Sequence, residues 1–295
     1  MVSLSRRQVL GGAAALAATG WASGCGGDDA PPTTQATPRY EVGAVFPRGE
    51  AYVTAGVENR LPFVLTGADG APLDEIDGDI TFTVSSKGEQ VGEPIVAAPR
   101  SAGLQRAFVP LRWTPPAAGF YELAPRYAGR DLTPLALQAF PVEGVAIPRI
   151  GQPLPVVPTP TTADARGVDP ICTAEPPCAL HEHDLAASRA AGRAVAVLVS
   201  TPAYCQTAIC GPVLDLVAAA AEAAGDRLDV IHAEVYANPT AVGSIVEATP
   251  APIVTAFALP FEPCLVVADA AGTVVARLDA IFDADEIADA FALVG

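Results

Sequence analysis

Along the first half of the chain, hydrophobic and polar positions alternate in short runs. These runs are rich in β-branched and aromatic residues, and turn signals such as Lys87-Gly88 separate them. They predict strands at 40–46, 59–66, 80–84, 104–113, 120–127 and 135–142. Strands this short at this spacing indicate an antiparallel β-sandwich over residues 39–147.

From residue 169 onward, continuous apolar runs alternate with segments of helical periodicity. The apolar runs predict strands at 195–199, 228–236, 264–267 and 273–278. One helix is expected after Asp184 and a second ends at Gly225, while Asp283 with Glu286 can form a capping box on a last helix. The order β-α-β, hairpin, helix indicates an α/β domain over residues 169–295.

The first residues carry the pattern of an export signal. Ser5-Arg6-Arg7-Gln8 precedes a short Ala-rich apolar stretch, and Ala22-Ser23-Gly24-Cys25 follows it. This pattern resembles a twin-arginine signal peptide that ends in a bacterial lipobox, which implies that residues 1–25 direct export and that Cys25 is lipidated. We therefore expect an exported protein, held by lipid on the outer face of the cytoplasmic membrane or in the periplasm.

Two segments connect the parts of the chain. Residues 26–38 are polar and contain proline, which predicts a disordered tether, and residues 148–168 are dense in proline, which predicts an extended, semi-rigid linker. In the sandwich, Gly119 precedes a strand that carries Tyr121, a pattern that resembles immunoglobulin-like bacterial surface domains. The partner of this sandwich is unknown from its residues.

The charge of the chain restricts its partners. The formal net charge is -16 over 295 residues, and nucleic acid is excluded as a partner because phosphate contacts need a basic surface. Anionic lipid headgroups are disfavoured for the same reason. Hydrophobic residues make up 51% of the chain, which is enough for the cores of about two domains.

Five of the six cysteines follow Cys25, and all five lie in the second half of the chain. Because export leads to an oxidising compartment, Cys172 and Cys178 are expected to form a structural disulfide. A metal set with His181 and His183 is the alternative, since thiolates and imidazoles suit zinc or copper. Its spacing matches no ligand pattern with a firm precedent, so neither metal nor cofactor is predicted.

Cys205 and Cys210 lie between a predicted strand and a predicted helix. Amide groups at a helix start favour thiolate over thiol, so Cys205 is expected to attack and Cys210 to resolve the mixed disulfide. Residues five apart on a regular helix are roughly 8.6 Å apart, beyond the limit of about 7 Å for a disulfide. Either the helix begins late, with Pro212 at its first position, or it unwinds locally; the late start is simpler. A permanent structural disulfide is the alternative function of this pair.

The dithiol segment and the hairpin that Glu262-Pro263 opens resemble the thioredoxin superfamily across residues 169–295. The resemblance implies a cis-proline at Pro263, packed against the cysteines. It departs from the family in having four residues between the cysteines, and in placing Val199 where the family has a buried aspartate that accepts the second thiol's proton.

Two further residues are candidates for this chemistry. His232 lies in a predicted core strand and could replace the missing proton acceptor, since histidine titrates near neutrality. Cys264 follows Pro263, where it either reshuffles with the pair or is an inert core thiol.

The resemblance implies a thiol:disulfide oxidoreductase whose partners are the thiols or disulfides of exported proteins. Two alternatives stay open. Thr201-Pro202 also resembles the Q-type peroxiredoxins, although Pro202 and Leu198 break that family's signature. The other is non-enzymatic: a copper carrier similar to the Sco type, in which His232 follows Cys210 too soon, or a disulfide-stapled adaptor.

Overall fold

The computed structural model describes residues 39–48 and 51–294. The expected signal peptide, the lipidated Cys25 and the tether at 26–38 lie outside the described residues. The strands are Glu41–Ala44 (β1), Val53–Thr54 (β2), Asn59–Thr66 (β3), Ile80–Ser86 (β4), Glu89–Gln90 (β5), Ile95–Ala97 (β6), Val109–Trp113 (β7), Gly119–Tyr127 (β8), Arg130–Asp131 (β9), Leu135–Phe140 (β10), Val195–Val199 (β11), Asp229–Ala233 (β12), Cys264–Ala268 (β13) and Val274–Asp279 (β14). The α-helices are Leu185–Ala190 (α1), Cys210–Ala224 (α2), Pro252–Ala256 (α3) and Ala284–Ala292 (α4).

The first ten strands form two sheets over one core. One sheet has the order β1-β3-β7, and the other has β2-β10-β8-β4-β5, with β6 paired to β4 and β9 to β8. Burial alternates along β8, so that Tyr121, Leu123 and Tyr127 are buried between exposed neighbours. This alternation is the pattern expected of a strand with one face on the core and one in solvent. The Phe63 and Phe82 rings, from opposite sheets, pack 5.1 Å apart.

The last four strands form a second, mixed sheet with the order β12-β11-β13-β14. β11 and β12 are parallel, whereas β13 runs antiparallel to β11 and to β14. Every residue of β11 is buried, because helices cover both faces of the sheet. Ala196 and Leu198 belong to the same apolar cluster as residues of α2 and α4, while Val197 clusters with residues of α1 and α3 on the other face.

Local signals in the sequence account for the helix ends. The Asp184 carboxylate accepts a hydrogen bond from the Ala187 amide at 2.7 Å and caps α1. Gly225, with φ of +55°, ends α2. Asp283 caps α4 by accepting from the Glu286 amide at 3.0 Å.

The expected capping box at α4 forms only in part. The Glu286 carboxylate binds Arg60 of β3, with Nε–Oε1 of 2.7 Å and Nη2–Oε2 of 2.6 Å, instead of returning to the backbone at Asp283. Arg60 also donates to the carbonyl oxygens of Asp279 and Ile281. The interaction with a distant guanidinium therefore replaces the local one.

The segment that was expected to be a linker is extended, but it lies against the hairpin. The Gly151 amide donates to the Val274 carbonyl and the Leu154 amide to the Gly272 carbonyl, both at 2.8 Å, and Leu154 is buried. The edge strand β14 offers unpaired backbone groups, which this segment satisfies. The segment is therefore hydrogen-bonded to the hairpin and does not form a free spacer.

The described residues belong to one compact unit, Pro38–Gly295, in which the sandwich and the α/β part are in contact. Besides the Arg60–Glu286 pair, the Tyr52 hydroxyl donates to Asp279 Oδ2 at 2.7 Å. Within the described part of the chain, no helix combines the length and apolar character that a membrane span requires.

Candidate functional site

The dithiol lies in the segment that joins β11 to α2. The Tyr204 amide donates to the Thr201 carbonyl at 3.2 Å and the Ala208 amide to the Cys205 carbonyl at 3.3 Å, so the segment consists of consecutive turns. α2 begins at Cys210, which confirms a late helix start. Pro212 is its third residue and not its first, because the helix takes in Cys210 and Gly211 as well.

The two thiols of this pair differ in exposure and in acidity. Cys205 is partly exposed, whereas Cys210 is fully buried. The hydrogen bond from the Cys210 thiol lowers the pKa of Cys205 to about 5, and the Thr207 hydroxyl and the Cys210 and Thr207 amides add to the effect. The Cys210 amide lies 3.4 Å from Cys205 Sγ. The same thiol hydrogen bond, together with burial, raises the pKa of Cys210.

Glu262, which precedes Pro263, interacts electrostatically with the dithiol. The Glu262–Pro263 peptide bond is cis, as the resemblance implied for Pro263. Burial raises the pKa of Glu262, and the negative charge of Cys205 raises it further. The charge of Glu262 in turn contributes to the raised pKa of Cys210. A carboxyl group thus interacts electrostatically with both thiols, where the sequence analysis expected no acidic acceptor.

Glu262 is the functional residue that the sequence analysis missed. Its signal was present, since it directly precedes Pro263 in the hairpin motif. In the thioredoxin pattern, however, the acidic acceptor lies on the strand before the first cysteine. In this chain the carboxyl group lies on the segment before β13.

His232 does not face the dithiol. Its Nδ1 lies 3.4 Å from Cys178 Sγ and 3.3 Å from His181 Nε2, and its Nε2 lies 2.9 Å from the Ser200 hydroxyl. Both ring nitrogens are therefore engaged away from Cys210. His232 belongs to a second group of side chains, which we call the Cys-His cluster: Cys172, Cys178, His181 and His232.

The expected disulfide between Cys172 and Cys178 is not formed. Both are free cysteines, and their sulfurs are 3.8 Å apart, compared with about 2.05 Å for a disulfide bond. Two imidazoles lie beside these sulfurs. One is that of His181, a member of the alternative metal set, and the other is that of His232 in place of His183, whose ring lies 3.9 Å from the Asp229 carboxylate.

Cys264 is a core thiol with an acidic neighbour. It is completely buried, and its thiol donates to Asp279 Oδ1 at 3.3 Å. Burial raises its pKa well above the ordinary value, and the charge of Asp279 acts in the same direction. These surroundings favour the inert alternative, because the nucleophile is the thiolate.

A cleft of about 460 Å³ opens beside the dithiol segment. Thr207, Ala208 and Ile209 line one side, and residues 103–106 of the sandwich line the other. The sandwich therefore supplies one wall of the cleft beside the segment that carries Cys205.

Comparison with models of protein families and with curated proteins gives no match.

Proposed function

We propose that this protein is a thioredoxin-like thiol:disulfide oxidoreductase that works through Cys205 and Cys210. A four-stranded mixed sheet in the order β12-β11-β13-β14, with helices on both faces, is the arrangement that a thioredoxin-like domain requires. The dithiol at the junction of β11 and α2 and the cis-proline at Pro263 support the same assignment.

The asymmetry of the two thiols is the observation that carries the proposal. An exchange catalyst needs one thiolate that a substrate can reach and a second thiol that stays protonated until it resolves the mixed disulfide. Cys205 is partly exposed with a pKa of about 5, and Cys210 is buried with a raised pKa. A permanent structural disulfide would not require one exposed thiol with a low pKa and one buried thiol with a raised pKa.

The exchange proceeds in two displacements. The Cys205 thiolate attacks one sulfur of a substrate disulfide, which forms a mixed disulfide and releases the other substrate sulfur as a thiolate. Cys210 then loses its proton and attacks Cys205 Sγ, which forms the Cys205–Cys210 disulfide and releases the second substrate thiolate. The substrate is reduced by two electrons and the protein is oxidised by two, so an external dithiol must restore it; the reverse sequence oxidises a substrate dithiol.

Glu262 is the proposed acceptor of the Cys210 proton. Its partly buried position and its raised pKa suit a group that takes up a proton and later releases it. Glu262→Gln should lower turnover roughly 10–100-fold, because the amide cannot accept that proton. Alkylation of Cys205 should stay within a few-fold of the parent, which would distinguish a loss of proton transfer from a loss of the thiolate.

Reduction of insulin disulfides by an external dithiol, with the full chain as catalyst, tests the function. Cys205→Ser should abolish catalysis, and Cys210→Ser should accumulate the mixed disulfide because its second displacement is blocked. Cys264→Ala is the matched control, a cysteine replaced outside the dithiol, and should retain turnover. Undiminished catalysis by Cys205→Ser would remove the proposal, as would a reduction potential for the pair below about −300 mV, which is typical of structural disulfides.

We further propose that the chain is exported and lipidated at Cys25, and that its substrates are exported proteins. The β-sandwich is proposed to be immunoglobulin-like. The Tyr121 hydroxyl donates to the Ala117 carbonyl at 2.7 Å, similar to the tyrosine corner of such domains. The sandwich lines the cleft beside the dithiol segment, so the sandwich is the part of the chain that contacts a bound substrate. Mass analysis of the membrane fraction, with Cys25→Ser as comparison, tests the anchor.

A further inference from the structure

The Cys-His cluster brings four potential ligand atoms to one point. Cys172 Sγ, Cys178 Sγ, His181 Nε2 and His232 Nδ1 all lie within 4.8 Å of one another. Three of the residues are buried and Cys178 is partly so. Three of them lie within residues 172–181, before α1, and the tertiary fold adds His232 from β12.

The spacing of these atoms is that of a tetrahedron around a zinc ion. Zn–S bonds of about 2.3 Å and Zn–N bonds of about 2.0–2.1 Å place tetrahedral ligands about 3.8 Å apart for two sulfurs, about 3.4 Å for two nitrogens and about 3.6 Å for one of each. The sulfurs of Cys172 and Cys178 are 3.8 Å apart, and the nitrogens of the two histidines 3.3 Å.

The distances between sulfur and nitrogen agree with the same geometry. Cys178 Sγ lies 3.3 Å from His181 Nε2 and 3.4 Å from His232 Nδ1, and Cys172 Sγ lies 3.8 Å from His232 Nδ1. Five of the six pairs of ligand atoms thus lie 3.3–3.8 Å apart, which is the tetrahedral spacing and too long for a disulfide.

Groups around the Cys-His cluster are placed to support the binding of a metal cation. The Cys178 amide lies 3.4 Å from Cys172 Sγ and can donate to a thiolate there. If Nδ1 of His232 binds a metal ion, Nε2 carries the proton, and it lies 2.9 Å from the Ser200 hydroxyl and 3.2 Å from the Ser200 carbonyl, to which it can donate. Such a partner behind a ligating histidine fixes its tautomer and ring orientation. Two thiolates and two neutral imidazoles balance the charge of one divalent cation, which reduces the cost of burying it.

We propose that Cys172, Cys178, His181 and His232 bind one Zn²⁺ ion in a closed tetrahedral site. The four protein ligands leave no position for water or substrate, so the site is structural. It ties residues 172–181 to β12. This proposal is independent of the exchange chemistry at Cys205.

Two hydrogen bonds connect this site to the dithiol segment. Thr173, next to the ligand Cys172, accepts from the Ala203 amide at 3.2 Å through its hydroxyl. Ser200, which contacts His232, is the first residue after β11. Zinc would therefore hold the start of the segment that carries Cys205, and removal of zinc should loosen it.

Metal analysis of the purified full chain tests the proposal. We expect one zinc per chain, lost in Cys178→Ser and in His181→Ala. His183→Ala is the matched control, since His183 lies two residues from His181 but outside the cluster, and it should retain the ion. Cys205→Ser should also retain it, which separates this site from the dithiol. Replacement of zinc by Co²⁺ should give the spectrum of tetrahedral cobalt with thiolate charge transfer.

A second measurement covers the case in which a variant fails to fold. In the unaltered protein, mercurial modification of the thiols should release zinc to a chromogenic chelator. A Cys172–Cys178 disulfide in the isolated protein, with no zinc uptake after reduction, would overturn the proposal. Stoichiometric copper in place of zinc would overturn the choice of metal.

Discussion

A few neighbouring hydrogen-bond donors lower the pKa of the Cys205 thiol. This pKa can be measured through the reactivity of Cys205 itself. Because its pKa is lowered to about 5, the thiolate fraction rises as pH increases through that value and is nearly complete at neutral pH. The rate of alkylation by iodoacetamide should therefore show a midpoint near 5, well below that of an ordinary thiol. Mass spectrometry of the alkylated peptide over a pH series provides the measurement.

Two substitutions at the neighbouring cysteine identify the main cause of this acidity. Cys210→Ala removes the side-chain donor that contributes most to the lowered pKa, so the alkylation midpoint should move upward. Cys210→Ser keeps a hydroxyl donor in the same place, so its midpoint should stay near that of the parent. Equal midpoints in the two variants would show that the Cys210 side chain is not the cause.

At the scale of elements, the turns between β11 and α2 place the cysteines close together. Ala208 lies inside this segment with φ of +55°, in the left-handed region that costs a residue with a Cβ about 1–2 kcal/mol. The strain is local to the segment that carries Cys205.

Replacement of Ala208 by glycine should therefore raise the free energy of unfolding by about 1 kcal/mol, since glycine adopts this conformation without a steric penalty. Urea denaturation monitored by fluorescence measures the change. Ala203→Gly is the matched control in the same segment, because Ala203 is not among the residues with positive φ; it should destabilise slightly through the entropy of the unfolded chain. A destabilised Ala208→Gly variant would contradict the expectation.

For the whole molecule, a buried ion pair joins the sandwich to the α/β part. The side chains of Arg60 and Glu286 are only 5% and 4% exposed. Glu286→Gln leaves the guanidinium without its counter-charge and should cost about 3–5 kcal/mol of unfolding free energy. Chemical denaturation of the full chain measures this loss.

The exposed pair of Arg112 and Glu58 provides the control for that prediction. These side chains are 56% and 59% exposed, so Glu58→Gln should change stability by less than about 1 kcal/mol. The double variant Arg60→Met with Glu286→Leu should recover much of the loss, because apolar side chains can replace a buried pair. If Glu286→Gln lowered the free energy of unfolding no more than Glu58→Gln does, the Arg60–Glu286 pair would not hold the sandwich and the α/β part together.

Much of the secondary structure followed from the sequence because its causes are local. Alternating burial in β4 and β8, the continuous apolar run of β11 and the caps at Asp184 and Asp283 depend on residues within a few positions of one another. The start of β7 was expected at residue 104 and lies at Val109. The short strands, such as β5, carry too few residues to show a period.

The order of the elements and the location of the dithiol between a strand and a helix could be predicted from the sequence, since both depend on neighbours along the chain. Tertiary packing is what brings distant groups together. It turned His232 towards Cys178 and His181, brought Glu262 to the dithiol, and directed Glu286 to Arg60. The physical reason is that such contacts depend on how sheets and helices pack, and residues 51 to 226 positions apart leave no periodic trace of their meeting in the sequence.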